Sequence, residues 1–430
     1  MGNQQKIYKK RLFLFPNVTT EGYYDPMSQS IVYCSINRND FDNILKEPLD
    51  LKGIRKARLL VHEITHLMDH ISTLHGQELL ESIYNSFNAI EHGTEKDYHH
   101  MIKMNKQVRS LKFENFYKQL SGVNQIGGNE KDWEFRTSIG CRYNFNGETD
   151  KTKPIIFSQF FYRKEFIGRI PLSIESLWET SAMATEVTLH SKAMLELNDD
   201  DEQIVASHDF VKNSYNWLYN SQLLTYSTAA HLVSGLLKIS DIYIGLRLSK
   251  LLSLMSLNFP EEYVPVLKRG NYFNTVDTDT KKALFGTNDP SYIFYRLVRN
   301  IQISKESVVS ENEEFDIEKI LHINGLPSQK QFEERVVNSM KAISDNHTNG
   351  PFSKHMKAYL ELGTYHFEKF GLNAYGVSPL HLIELAKSDK LPLIFEEDDA
   401  FDDTKLQVKR YEHISNVDSR ITEFISACGY

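Results

Sequence analysis

Ala57-Arg58-Leu59-Leu60-Val61-His62-Glu63-Ile64-Thr65-His66-Leu67-Met68 is the stretch on which the reading of this chain turns. Its residues favour helix, and no Pro or Gly interrupts positions 54 to 75, so the pattern predicts a helix ended by Gly76. Positions i and i+4 of a helix stand one above the other, so the imidazoles of His62 and His66 can reach one metal ion. Glu63 lies about 100° around the helix from His62, where its carboxylate can meet a water on that ion without being a ligand. This spacing points to zinc-assisted hydrolysis with Glu63 as general base. With 16 His in 430 residues, chance yields an HExxH roughly 0.05 times in a chain of this composition. The bland alternative is an amphipathic helix carrying solvated His and Glu.

Length and composition frame this motif. A chain of 430 residues forms one elaborated domain or two, and 41% hydrophobic residues supply a sizeable core. A net charge of −8 without a basic block argues against a nucleic-acid partner. The acidic runs Asp199 to Glu202 and Glu396 to Asp403 lack the ligand alternation and Gly of an EF-hand loop, so they read as solvated loops. Cys34, Cys141 and Cys428 are odd in number and form no CxxC pair, which favours a reducing compartment. Met1 to Lys6 has no apolar signal core, and Lys6 stands where a myristoylation signal wants Ser or Thr. The apolar run Leu232 to Leu257 is broken by Lys238, Asp241, Arg247 and Lys250, as in a buried helix pair and not a membrane span. A soluble, cytoplasmic protein is expected.

The organisation is α+β and predominantly helical, with the strands in the first third. Arg11–Phe15 and Ser30–Ile36 read as strands around a turn-rich Asn17–Ser28. After the motif helix come helices at about Glu78–Glu91 and Lys96–Leu120. Alternation then marks a strand at Phe135–Phe145, with a partner at Pro154–Tyr162. From Leu172 onward the chain reads as helix almost without interruption, and neither repeats nor low-complexity segments occur.

A catalytic zinc takes three protein ligands and keeps a fourth position for water. The metzincin pattern fails, because Asp69 and Ser72 occupy the places of its Gly and third His. His70 continues the same helix face, but three consecutive turns span about 12 Å, too far to close on one ion. A Glu on a later helix remains. Glu175, Glu179, Glu186 and His190 fall near one face of the run starting at Leu172, and Ser181, Ala182 and Ala184 would let that helix pack closely. Asp69 could orient a ligand imidazole or simply be solvated. The neighbouring His99 and His100 read as surface residues.

In these residues the chain resembles the gluzincin branch of the zincin metallopeptidases, where the Glu of a downstream helix completes the site of an HExxH helix. The stretch His62 to Gly76, with Thr73 and Gly76 after the motif, also looks like uncharacterised bacterial HExxH proteins with a later Glu-x-x-Ala-x-x-x-Glu, and the resemblance covers roughly residues 55 to 190. The resemblance implies His62 and His66 as zinc ligands, Glu63 as general base and Glu179, from Glu179-Thr180-Ser181-Ala182, as third ligand. More than a hundred residues separate His66 from Glu179, a longer spacer than in the best-known gluzincins, which leaves Glu186 and Glu91 as rivals. It further implies a zincin-like catalytic domain at 1–200 and a helical domain at 203–430 forming the other wall of a cleft.

Zn2+ is therefore the expected cofactor and a peptide or protein the expected substrate, pairing with an edge strand, Ser30–Ile36 before Phe135–Phe145. An amidase or deformylase-like enzyme of a small substrate, and an inactive helical binding or scaffold protein, are the alternatives. The residue that stabilises the oxyanion cannot be chosen among 22 Tyr by sequence.

Overall fold

The computed structural model of the chain describes residues 21–45, 51–144, 146–197, 200–345, 350–387, 391–399 and 406–429. The strand expected at Arg11–Phe15 lies outside the described residues, as do Phe145 and the acidic residues Asp199, Asp402 and Asp403.

A hairpin of β1 (Gly22–Asp25) and β2 (Ser30–Tyr33) leads through α1 (Arg38–Ile44) to the motif helix α2 (Leu51–Ile71). Helices α3 (Leu74–His92) and α4 (His99–Ser110) follow. Next come β3 (Gln119–Leu120), β4 (Trp133–Tyr143), β5 (Thr149–Tyr162) and β6 (Glu165–Pro171). The helices α5 (Ile174–Leu195), α6 (Asp200–Leu218), α7 (Leu224–Leu237), α8 (Ile242–Leu257), α9 (Thr278–Gly286) and α10 (Pro290–Ser304) come next. The chain continues through α11 (Ile317–Ile323), α12 (Gln329–Asp345), α13 (Ser353–Phe370) and α14 (Pro379–Lys387) to β7 (Leu393–Phe395), α15 (Glu396–Asp399) and α16 (Leu406–Ala427). Among the described residues the protein is mostly helical, with two small sheets.

The first sheet has the order β1-β2-β7, antiparallel on one side of β2 and parallel on the other. That corrects one expectation. The Ser30 strand is central, so its backbone groups are already paired and no substrate can add there. Among the described residues the edges are β1, which the turn-rich reading of Asn17–Ser28 concealed, and β7. The second sheet has the order β3-β6-β5-β4 and leaves β4 at an edge. Sequence missed β6 for a definite reason. The loop joining it to β5 is Arg163-Lys164, both at positive φ (49° and 70°), the backbone of a tight hairpin without the Asn-Gly that announces one.

The motif helix ends at Ile71, ahead of Gly76. Thr73 caps α3 by accepting from the Gly76 N–H, and Gly76 sits in the first turn of α3. A Cβ there would collide with the carbonyls of Asp69 and His70, so glycine serves a close approach between the two helices and not a helix stop. The apolar side of α2, Leu60, Val61, Ile64, Leu67 and Ile71, is fully buried in one core with Trp178 of α5, Leu360 of α13 and Ile414 of α16. At the start of α5, Ser173 accepts from Ser176 in a capping box, and the helix is enclosed from Ile174 to Thr185. Helices α7 and α8 bend by 108° and bury most of their residues; among the described residues no single helix is long and apolar enough to cross a membrane.

Candidate metal centre

Helices α2 and α5 pack across each other so that His62 and His66 face Glu179. One ligand atom from each of these three residues lies within 4.8 Å of the others. The two Nε2 atoms are 3.1 Å apart, and Glu179 Oε2 stands 3.5 Å from His62 Nε2 and 3.6 Å from His66 Nε2. Atoms bonded at about 2.0–2.2 Å to one tetrahedral ion lie about 3.3–3.6 Å apart, which both carboxylate separations match while the two nitrogens stand slightly closer. The Glu179 side chain is fully buried, and neither of its carboxylate oxygens makes a hydrogen bond. A buried carboxylate without hydrogen bonds is costly unless a cation compensates it. These residues can hold a metal ion.

The supports of His62 are built into the same two helices. Its Nδ1 donates to Glu186 Oε1 at 2.6 Å, which directs Nε2 to the triad, and Glu186 Oε2 accepts from Arg58 Nη2 at 2.8 Å. Arg58 in turn lies 4.0 Å from the ring centre of Trp217. Burial alone would raise the Glu186 pKa, but Arg58 and then His62 outweigh it and hold it down to about 2. Glu179 has no guanidinium, and burial pushes it up to about 7 against the pull of His62. Burial opposes charge on His62, yet Glu179 and Glu186 overcome it and place its pKa well above the ordinary value. His66 goes the other way, lowered by burial and by His62.

Glu63 lies beside the triad, buried, its carboxyl accepting from the Tyr24 backbone N–H of the edge strand β1. Burial pushes its pKa up to about 7; His62 opposes this, and Glu179 and Glu186 add to it.

Other sequence candidates fall elsewhere. Glu91 pairs with Arg420 of α16 and takes no part in the triad. Glu175 faces Lys118 Nζ at 3.6 Å. Asp69 turns to Ser181 and Lys250 and not to a ligand imidazole. His70 is buried with Nδ1 2.7 Å from the Tyr24 hydroxyl, and His190 stacks on Phe210 at 4.1 Å. Sequence reasoning missed Tyr226, in the first turn of α7. Its pKa is raised first by burial and then by the charges of Glu179, Glu63, Glu175 and Glu186, which keeps the phenol protonated. No local motif marks it; only the packing of α7 on α5 brings it there.

No protein family, curated protein or solved structure matches this chain.

Proposed function

We propose that this chain is a zinc-dependent hydrolase that cuts peptide bonds, with His62, His66 and Glu179 holding the metal and Glu63 as general base. The observation that carries the reading is the meeting of both HExxH imidazoles with a fully buried carboxylate that has no hydrogen bond of its own. Two imidazoles and one carboxylate are a donor set suited to catalytic zinc. The gluzincin resemblance is supported by the crossing of α2 and α5 and by the β1-β2-β7 sheet beside the motif helix.

When bound, zinc supplies a Lewis acid and lowers the pKa of water. Glu63 takes the proton from the attacking water and returns it to the departing nitrogen. Tyr226, whose phenol senses the charges of this acid group, is the candidate to stabilise the carbonyl oxygen as negative charge grows there. Glu186 holds the His62 tautomer, and an extended substrate would run beside β1, whose Tyr24 N–H already touches Glu63.

One observation favours a second reading, a small amide substrate. Side-chain exposure rises only from 0% at Glu179 to 12% at His62 and 19% at Glu186, so the site is largely enclosed and would admit a substrate through a narrow mouth. A chain end or a small acylated amine enters such a mouth more readily than the middle of a polypeptide.

The test is metal analysis of protein purified without added metal, followed by assays on a peptide library and on small N-acyl amides. Stoichiometric zinc with hydrolysis abolished in Glu63→Gln is expected. Protein that carries no zinc and does not take it up would end the proposal.

A further inference from the structure

A second site lies away from the triad and shares no lining residue with it. A recess of about 420 Å3 opens between β4, the Asn271–Phe273 turn, the start of α9 and α10. Arg299 of α10 lines it, its guanidinium carbon 5.4 Å from the ring centre of Tyr272 and 5.9 Å from that of Tyr295. Its Nε is buried without a hydrogen bond, and no carboxylate among the described residues forms an ion pair with it. Asp277, the one acid in the lining, is already engaged. It caps α9 by accepting from Asp279 N, Thr280 N and Thr280 Oγ1, and Lys151 lies near it. Thr137 Oγ1 of β4 and Tyr295 Oη of α10 stand 3.4 Å apart and also line the recess.

A guanidinium flanked by two aromatic rings is held in one plane and loses part of its hydration, while its N–H edges stay open to a planar oxyanion. Hydroxyl groups around it can each donate or accept, which suits a ligand carrying hydroxyls of its own. The volume lies within the range of small-molecule sites, about 300–1,000 Å3. We propose that this recess binds a small hydroxylated oxyanion, a carboxylate or a phosphate ester, anchored by Arg299. The site is independent of the hydrolytic reading above.

Isothermal titration of the intact chain with inorganic phosphate and with gluconate, each against chloride at matched ionic strength, tests it. Saturable binding of either anion is expected, phosphate pointing to a phosphate ester and gluconate to a carboxylate. Arg299→Lys keeps the charge but loses the fork, and should weaken binding about tenfold or more. Thr137→Val, on a half-buried strand position, should also weaken it and serves if Arg299→Lys fails to fold. Lys330→Gln, which removes an exposed charge on α12 and touches neither site, should leave anion binding unchanged. Absence of saturable binding to both anions, or wild-type affinity in Arg299→Lys and Thr137→Val, overturns the proposal.

Discussion

Replacing Glu179 by Met should push the stability of the metal-free and zinc-loaded proteins in opposite directions. In the metal-free protein burial lifts the Glu179 pKa from 4.5 to about 7. A raised acid pKa means that the folded state holds the proton more tightly than the unfolded one. The penalty is thus absent below the unfolded value and complete once pH has passed the folded value. At about 1.36 kcal/mol per unit, the ionised carboxylate costs the fold on the order of 3 kcal/mol at about pH 8 and little at about pH 5. The side chain is fully enclosed, so solvent screening takes nothing off that figure. Methionine has similar length, no charge and no unmet hydrogen bond. In chelator at about pH 8 the variant should therefore be more stable than wild type, by less than that penalty because His62 loses the partner that raises its pKa, with the two converging near pH 5. Zinc at a thousand times its dissociation constant should stabilise wild type by about 4 kcal/mol and the variant far less, which reverses the order. Urea denaturation at both pH values, with chelator and then with zinc, reads all four cases. A variant that is less stable than wild type in chelator at the higher pH, or that gains as much from zinc, would refute the assignment of Glu179.

Four further outcomes follow from the same geometry. Glu63→Gln should keep its zinc while hydrolysis falls by orders of magnitude, and loss of metal in this variant would show that Glu63 is a ligand. His62→Ala and His66→Ala should each lose most bound zinc by elemental analysis, since two protein ligands rarely hold it. Glu186→Gln should weaken zinc binding about 10- to 100-fold by competition with a chelator, less than Glu179→Met; the reverse order would exchange their roles. Zinc must displace protons from Glu179 and His62, whose pKa values are both raised, so apparent affinity should climb as pH rises through about 7; a flat profile would contradict the ligand set.

The grouping of His62, His66 and Glu179 was legible in sequence because helical spacing converts directly into geometry. His62 and His66 needed only that residues 51 to 71 be helical, and Glu179 needed a second helix with small residues to approach the first. What sequence could not supply was the partner of each acid. Glu91, Glu175, Glu179 and Glu186 look alike on paper, and only packing gave Arg420 to the first, Lys118 to the second and Arg58 to the last. Tyr226 was hidden for the same reason. Strand errors had local causes: β6 follows a hairpin turn of two residues with no turn signature, and β7 has three residues and gains its identity from pairing with β2.

The choice between Glu179 and Glu186 then reduces to helix register. On α2, Arg58, His62 and His66 recur every four residues and form one stripe. On α5, Glu186 and Glu179 stand two turns apart, and the contacts run in opposite order along the two helices: Arg58 to Glu186, His62 to both, His66 to Glu179. The antiparallel crossing thus places a fixed cation against Glu186 and none against Glu179. Glu186 is neutralised by protein, stays ionised and orients His62. Glu179 faces two imidazole nitrogens and no guanidinium, so in the metal-free protein a protonated His62 balances its charge, and a bound cation would take that place. Moving the cation of that stripe, by Arg58→Met, should release Glu186 and loosen His62 without emptying the triad. Zinc affinity should fall by no more than the about 10- to 100-fold that loss of an outer support costs. A loss of zinc as complete as that of His62→Ala would mean that Glu186, held by Arg58, is itself a ligand.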